Sequence, residues 1–213
     1  MTGSFRRMPD FDRQADMIET TLDCIADLGI QATTVRAVAA RAGISNGLIR
    51  HHFGSKENLL LAAYRRTIEM MTEPALAVLQ ATEGTPHERL ARFVVVSLSG
   101  AVADPRLLSL WATFISQIHI DPNLSRAHRA GYHAYRNAAE ALIGQVLDAE
   151  GRATTDAERK RAAIAISAVI DGLWIEGGLS DGEFDEELQV SIGLRSVEAL
   201  LGLSLPDITQ KRS

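Results

Sequence analysis

Between Thr33 and Phe53 the chain reads TTVRAVAARAGISNGLIRHHF. Val35, Val38, Ala39 and Ala42 recur at i, i+3, i+4 and i+7, which is the spacing of one helical face. Thr33 precedes them as a good N-cap, because a threonine hydroxyl can accept a backbone N–H left unpaired at a helix start. Gly43 breaks the helix and permits a left-handed turn that a β-carbon disfavours. Ile44 plugs that turn, and Ser45 caps a second short helix over about Asn46 to His52. Ile44, Leu48 and Phe53 can pack inward, and alanines at 39, 40 and 42 let the two helices approach closely. The stretch is predicted to be a helix-turn-helix.

Outward from it, an amino-terminal helix over about Asp12 to Leu28 places Ile18, Leu22 and Ile25 on one stripe and ends at Gly29. Gly54 stops the second short helix, and Ser55 caps a long fourth one over about Lys56 to Leu79. Its apolar positions are Leu59, Leu60, Ala63, Ile68 and Met71. After Gly84-Thr85-Pro86, helices are predicted at about 86–102, 105–119, 122–150, 156–177 and 185–202. Asp104-Pro105, Asp121-Pro122, Gly151 and Gly177-Gly178 separate them. The expectation is an all-α chain of about nine helices, with no strand and no repeat. It divides into a head over residues 1–66, beginning with a loose arm at 1–9, a helical bundle over 67–205 and a polar tail over 206–213.

The charge is uneven. From Thr33 to Arg66 the bases Arg36, Arg41, Arg50, Lys56, Arg65 and Arg66 face one acid, Glu57, a local +5 in a chain whose net charge is −5. A basic window on an acidic body points to a local anionic partner. It also counts against a non-specific architectural DNA protein, which would be basic over most of its surface. The lone cysteine, Cys24, excludes a disulfide within the chain and reads as a small core residue. Arg6 and Arg7 are followed by Pro9, Asp10 and Asp12 and not by the apolar run of a secretory leader. The apolar stretch Phe93–Ala103 is too short to span a bilayer, so a cytoplasmic protein without a membrane partner is expected. Phosphate-loop, nucleophile-elbow and zinc-protease motifs are absent, and His128 and His133 are spaced too unevenly for a metal pair on one helix face. Neither an enzyme nor a cofactor or metal site is expected.

The second short helix has little apolar surface and carries Asn46, Arg50, His51 and His52. Such a helix is held by its neighbours and presents a polar face, which suits double-stranded DNA. Arg50 can fork onto guanine or pair with phosphate, and Asn46 can pair with adenine. Gly47 admits a close approach of backbone to the duplex. Thr34 and Lys56 are placed for phosphate, and His51 and His52 can donate to it, although His52 can equally pack beside Phe53. Thr33, Arg36 and Ser45 complete the candidate DNA-contact set.

The run Thr34-Val35-Arg36-Ala37-Val38-Ala39-Ala40-Arg41-Ala42-Gly43-Ile44-Ser45-Asn46-Gly47, followed by His52-Phe53 and Ser55-Lys56-Glu57-Asn58-Leu59, resembles the TetR family of one-component regulators. The resemblance covers about residues 12–65, and the rest is similar in helix count and layout. Ile170-Asp171-Gly172-Leu173-Trp174, with Ser45-Asn46-Gly47, is similar to the branch that includes choline-responsive betaine-pathway repressors. At Arg50 many family members have a tyrosine that grips the DNA backbone, so the resemblance leaves the role of Arg50 open between phosphate and base.

The resemblance implies a bundle that binds a small-molecule effector and forms a homodimer through the helices at about 156–177 and 185–202. It implies repression by occupancy of a palindromic operator that is released when the effector binds. Candidate effector contacts are Trp111, Phe114, Gln117, Tyr132, Tyr135, Asp171 and Trp174, with His119 and Glu176 nearby in sequence. Aromatic faces can cage a cation, and Asp171 or Glu176 can supply the opposing charge. The same aromatics can instead be ordinary core. The alternative function is a protein-interaction module or an unliganded regulator that keeps the fold without effector control.

Overall fold

The computed structural model describes residues 10–81, 83–180 and 184–208. The arm expected at 1–9 and residues 209–213 of the tail lie outside the described residues. Among the described residues the chain forms nine α-helices, one 3-10 turn and no strand. They are α1 (Asp10–Ala32), α2 (Val35–Ala42), α3 (Asn46–Phe53), α4 (Lys56–Gln80), α5 (Pro86–Leu98), the 3-10 turn Gly100–Ala103, α6 (Pro105–Ile115), α7 (Pro122–Ala149), α8 (Asp156–Leu179) and α9 (Glu186–Leu201). The all-α expectation is met.

Local boundaries differ where side chains compete with the backbone. The N-cap of α2 is Thr34 and not Thr33: its hydroxyl accepts the Ala37 N–H at 3.1 Å. Thr33 is 1% exposed and donates its own hydroxyl to the Gly29 carbonyl at 2.8 Å. It closes the junction after α1, whose helical path breaks at Gly29 (φ 78°, ψ 163°), a conformation that only glycine adopts without strain. α6 ends at Ile115, earlier than expected. Over 116–120 the backbone tightens into i→i−3 bonds, such as Gln117 N–H to Phe114 O at 2.9 Å, while the Ser116 hydroxyl donates to Thr113 O at 2.8 Å. α5 likewise stops at Leu98, because Ser99 is extended (φ −136°, ψ 169°) before the 3-10 turn.

Contacts group the chain into two units, residues 10–67 with 109–127 and residues 68–108 with 128–208. In the first, Met17, Cys24, Val38, Ala39, Ile49, Phe53 and Leu59 form a buried cluster edged by Ile18, Val35, Ile44, Leu48 and Ala62. Cys24 is 1% exposed and burial pushes its thiol pKa up, as suits a packing residue. Tyr64 and Phe114 are both fully buried and stack at 4.8 Å.

In the second unit α8 packs extensively on α9, and α5 packs on both. Thr85–Glu88 and Thr155–Glu158 form capping boxes at the starts of α5 and α8. A β-carbon at Gly193 would overlap Leu98, so glycine sets the close approach of α9 to α5. α8 is long and apolar enough to cross a membrane by length and composition. It nevertheless buries Ala163, Ile166, Ser167, Ile170 and Trp174 within this unit, as a bundle core helix does. Other apolar side chains stay exposed: Ile164 and Leu179 on α8, and Leu188, Ile192 and Leu200 on α9.

Candidate functional site

The helix-turn-helix is built by caps and a plug. Gly43 takes a left-handed conformation (φ 66°, ψ 31°), and the Ile44 N–H reaches back to Ala39 O at 3.0 Å. That bond turns the chain and drops Ile44 against the head core. Ser45 then starts α3 by accepting the Leu48 N–H at 3.2 Å. At the other end the Asn58 amide donates to Phe53 O at 2.9 Å and ties α3 to the first turn of α4.

At 3.6 residues per turn, Asn46, Gly47, Arg50 and His51 fall within an arc of about 140° on α3. All four are exposed. Ile49 and Phe53 lie outside that arc, on the flank next to Asn46, and are 1% and 7% exposed. The helix therefore separates a packing side from a side with no structural duty. Thr34, Arg36 and Ser45 are exposed beside it, and Lys56 is half-buried. Thr33 is buried and spent on Gly29, so its placement differs from that of the other candidates. His52 packs beside both His51 (5.4 Å, edge-on) and Phe53 (6.4 Å), with its Nε2 enclosed and without a hydrogen-bond partner.

The charge count also changes. Arg41 pairs with Asp27 and lies 4.0 Å from Asp23, both on α1. Arg66 pairs with Glu19, also on α1, at 2.9 Å. Of the bases in the window, Arg36, Arg50, Lys56 and Arg65 remain without an ion-pair partner among the described residues. Sequence reading missed both clamps, Ile49 as the principal anchor of α3 and Asn58 as its tether. Only Ile49 left a signal: it lies four residues before Phe53 on the same helical stripe.

A small cavity of about 40 Å³ lies wholly within the second unit. It is lined by Tyr132, Tyr135, Asp171 and Trp174, which sequence reading had selected. It is also lined by Met71, Thr72, Ser97, Val102 and Ile170, which it had not. Trp111, Phe114 and Gln117 group with the first unit and do not line this cavity. Phe114 is core against Tyr64, and the Gln117 amide donates to the Ser116 hydroxyl at 3.0 Å. Their shared helical face reflects packing.

Each polar end in the cavity wall is anchored. The Tyr132 hydroxyl donates to Asp171 Oδ2 at 2.9 Å. The Tyr135 hydroxyl donates to Ser97 Oγ at 3.0 Å, and that oxygen donates to Phe93 O at 2.7 Å. The Trp174 indole donates to Val102 O at 2.6 Å. These bonds fix the ring planes, since a buried hydroxyl or indole N–H without a partner is costly. Burial pushes the Asp171 carboxyl above its ordinary value, against the opposing pull of the Tyr132 bond and of Arg136. It also pushes the Tyr132 and Tyr135 hydroxyls up, which keeps both protonated as donors. The site thus combines aromatic walls with one carboxylate, an arrangement suited to a small cation.

The known relatives agree in kind. Residues 17–63 match the family described as bacterial regulatory proteins, tetR family, and residues 86–202 match the BetI-type transcriptional repressor C-terminal domain. The HTH-type transcriptional regulator BetI of Burkholderia thailandensis is 29% identical over 189 residues, covering 89% of this chain and 93% of that protein. A transcriptional regulator from Pseudomonas aeruginosa PAO1 has the same fold with a TM-score of 0.84 at 32% identity, covering 93% of this chain and 95% of that one. A transcriptional regulator from Saccharomonospora viridis, solved in complex with choline, has a TM-score of 0.72 at 23% identity, covering 89% and 97%. The capped turn, the polar arc of α3 and the BetI-type body lead to one assignment: this chain belongs to the TetR family of DNA-binding transcriptional regulators, with a BetI-type C-terminal domain.

Proposed function

We propose that this chain is a cytoplasmic, homodimeric repressor that leaves a palindromic operator when a small organic cation enters the cavity lined by Tyr132, Tyr135, Asp171 and Trp174. The observation that carries the DNA-binding half is the exposed arc of Asn46, Gly47, Arg50 and His51, set apart from the buried Ile49 and Phe53 of the same helix. Asn46 and Arg50 offer base-reading groups, and Thr34, Arg36, His51 and Lys56 offer phosphate contacts. Dimerisation through α8 and α9 is supported by the exposed apolar residues there. Leu188, Ile192 and Leu200 recur at multiples of four along α9, and Ile164 lies exposed on α8. A two-fold dimer places its reading helices about 34–36 Å apart, one turn of DNA, which demands a palindrome. The cation reading is supported by Asp171 among aromatic walls and by the choline complex of the Saccharomonospora viridis protein.

Release needs an effector that binds the operator-free form more tightly than the operator-bound form. Footprinting on the promoter region of the gene and its neighbour tests the first half, with a protected palindrome expected. An unprotected region sinks it. A thermal-shift series with quaternary amines tests the second half, because a ligand of the folded state raises the melting temperature by mass action.

A further inference from the structure

Among the described residues, three buried donor atoms of the second unit lack partners; one is Arg89 Nε, in a guanidinium whose two terminal nitrogens are already bonded to Gln145 and to Leu79 O, and the other two lie on facing helices. Arg136 Nε on α7 and Ser167 Oγ on α8 are both enclosed and make no hydrogen bond. Ser167 is 1% exposed. A buried polar group without a partner is costly, so one such atom calls for a reason and two in one place call for a shared one.

Helix register puts them together. Tyr132 of α7 bonds Asp171 of α8, and three turns further along α7 the backbone of Gly144 lies against Arg159 of α8. α7 and α8 therefore run antiparallel along a stripe that starts at Tyr132 and Asp171. One turn from that first pair, the stripe sets Arg136 opposite Ser167. On α8, Ser167 points between Asp171 and Trp174, about 40° from the first and 20° from the second at 100° per residue. Both of those residues line the cavity; Ser167, which does not, lies about one turn away from Asp171 along α8. Arg136 leans the same way: its guanidinium carbon sits 5.3 Å from the centre of the Tyr132 ring. Among the described residues, no carboxylate lies within ion-pair distance of it.

The cavity wall holds Asp171, and Arg136 lies behind that wall, with its guanidinium over the Tyr132 ring and close enough to lower the Asp171 pKa. For a simple cation Arg136 is a penalty. For a molecule carrying both charges it is a partner. Resting on the cation reading above, we propose that the cavity opens into an anion-accepting end at Arg136 and Ser167, and that the effector is a zwitterion with its ammonium at Asp171 and its carboxylate at Arg136 and Ser167. One helical turn, about 5.4 Å, separates the two ends, which suits an ammonium and a carboxylate joined by one to three carbons. A carboxylate there accepts from both orphaned donors at once.

Calorimetric titration of the full-length protein with four probes tests this: trimethylglycine, 4-trimethylammoniobutanoate, choline and tetramethylammonium. At least one zwitterion is expected to bind about tenfold or more tightly than choline, the usual worth of a charge-assisted hydrogen bond. Arg136→Gln should remove that advantage and leave choline binding equal or tighter. Ser167→Ala should weaken the zwitterion several-fold while keeping or raising the melting temperature of the free protein, since it deletes an orphaned hydroxyl. Choline binding as tightly as both zwitterions overturns this inference and leaves the cation reading standing. Failure of all four probes overturns both. Equal losses for choline and zwitterion in Arg136→Gln assign that residue to packing and also overturn the proposal.

Discussion

Arg50 and Arg41 are alike in sequence terms, two arginines of one basic window, yet the structure gives them opposite duties. Arg41 is tied to Asp27 and Asp23, while Arg50 stands exposed on α3 without a partner. Their substitutions should therefore separate in a salt titration. Neutralising one phosphate contact lowers the slope of log K against log salt by about 0.9, so Arg50→Ala in a two-headed dimer should lower it by about 1.8 if Arg50 holds phosphate. If Arg50 reads a base, the slope stays and discrimination at one operator position falls by about 1–3 kcal/mol. Arg41→Gln should leave slope and discrimination alike, because its charge is already matched by α1. Its cost is a small loss of stability, since solvent screens an exposed ion pair. Arg50→Ala should keep its stability within about 0.5 kcal/mol, having no contact to lose. Fluorescence anisotropy with labelled operator and a scrambled duplex at several salt concentrations measures all of this. The reasoning is refuted if Arg41→Gln lowers the slope as much as Arg50→Ala, or if Arg50→Ala changes neither slope nor discrimination.

Gly43→Ala should cost about 1–2 kcal/mol in urea unfolding, all of it backbone strain at φ 66°, since an added β-carbon meets nothing within 4 Å. Gly43→Asn should cost less, and a loss above about 3 kcal/mol would expose a steric contact that this structure lacks. Ile192→Glu should yield a monomer by sedimentation and weaken operator binding, because it sets a charge on the apolar stripe of α9; a dimer of unchanged stability would remove α9 from the interface. For Asp171 the sign follows from its raised pKa: the folded state holds that proton more tightly than the unfolded chain does. Its contribution to stability is therefore present below the ordinary carboxylate value and is lost as pH rises through the raised one. Melting curves of wild type and Asp171→Asn should converge at low pH and separate above it, with the variant more stable in the absence of effector, while cation binding by the wild type strengthens over the same window. Parallel curves at every pH would contradict a desolvated Asp171.

What could be read in the chain was whatever repeats at short range. Helix periods, the glycine of the turn and the caps at Ser45 and Ser55 depend on neighbours three or four residues away, and the structure holds those features where the pattern put them. The N-cap of α2 shifted from Thr33 to Thr34 because two adjacent threonines compete for one role and burial against Gly29 decides between them. The rest depends on distance along the chain. Arg41 meets Asp27 across 14 residues, Arg66 meets Glu19 across 47, and Tyr132 meets Asp171 across 39. A residue count treats all six bases of the window as available, whereas α1 has claimed two of them. The effector candidates show the same limit from the other side. Trp111 and Phe114 share a helical face as surely as Tyr132 and Tyr135 share a helix, and residue type cannot say which pair looks into a void. What distinguishes them is unfinished hydrogen bonding. Phe114 has nothing left to satisfy, while one turn below Asp171 the helices enclose an arginine nitrogen and a serine oxygen that do. A half-buried arginine and a buried serine are indistinguishable in sequence from any others; their lack of partners, together with their place beside Asp171 and Tyr132, is what points to a further molecule there.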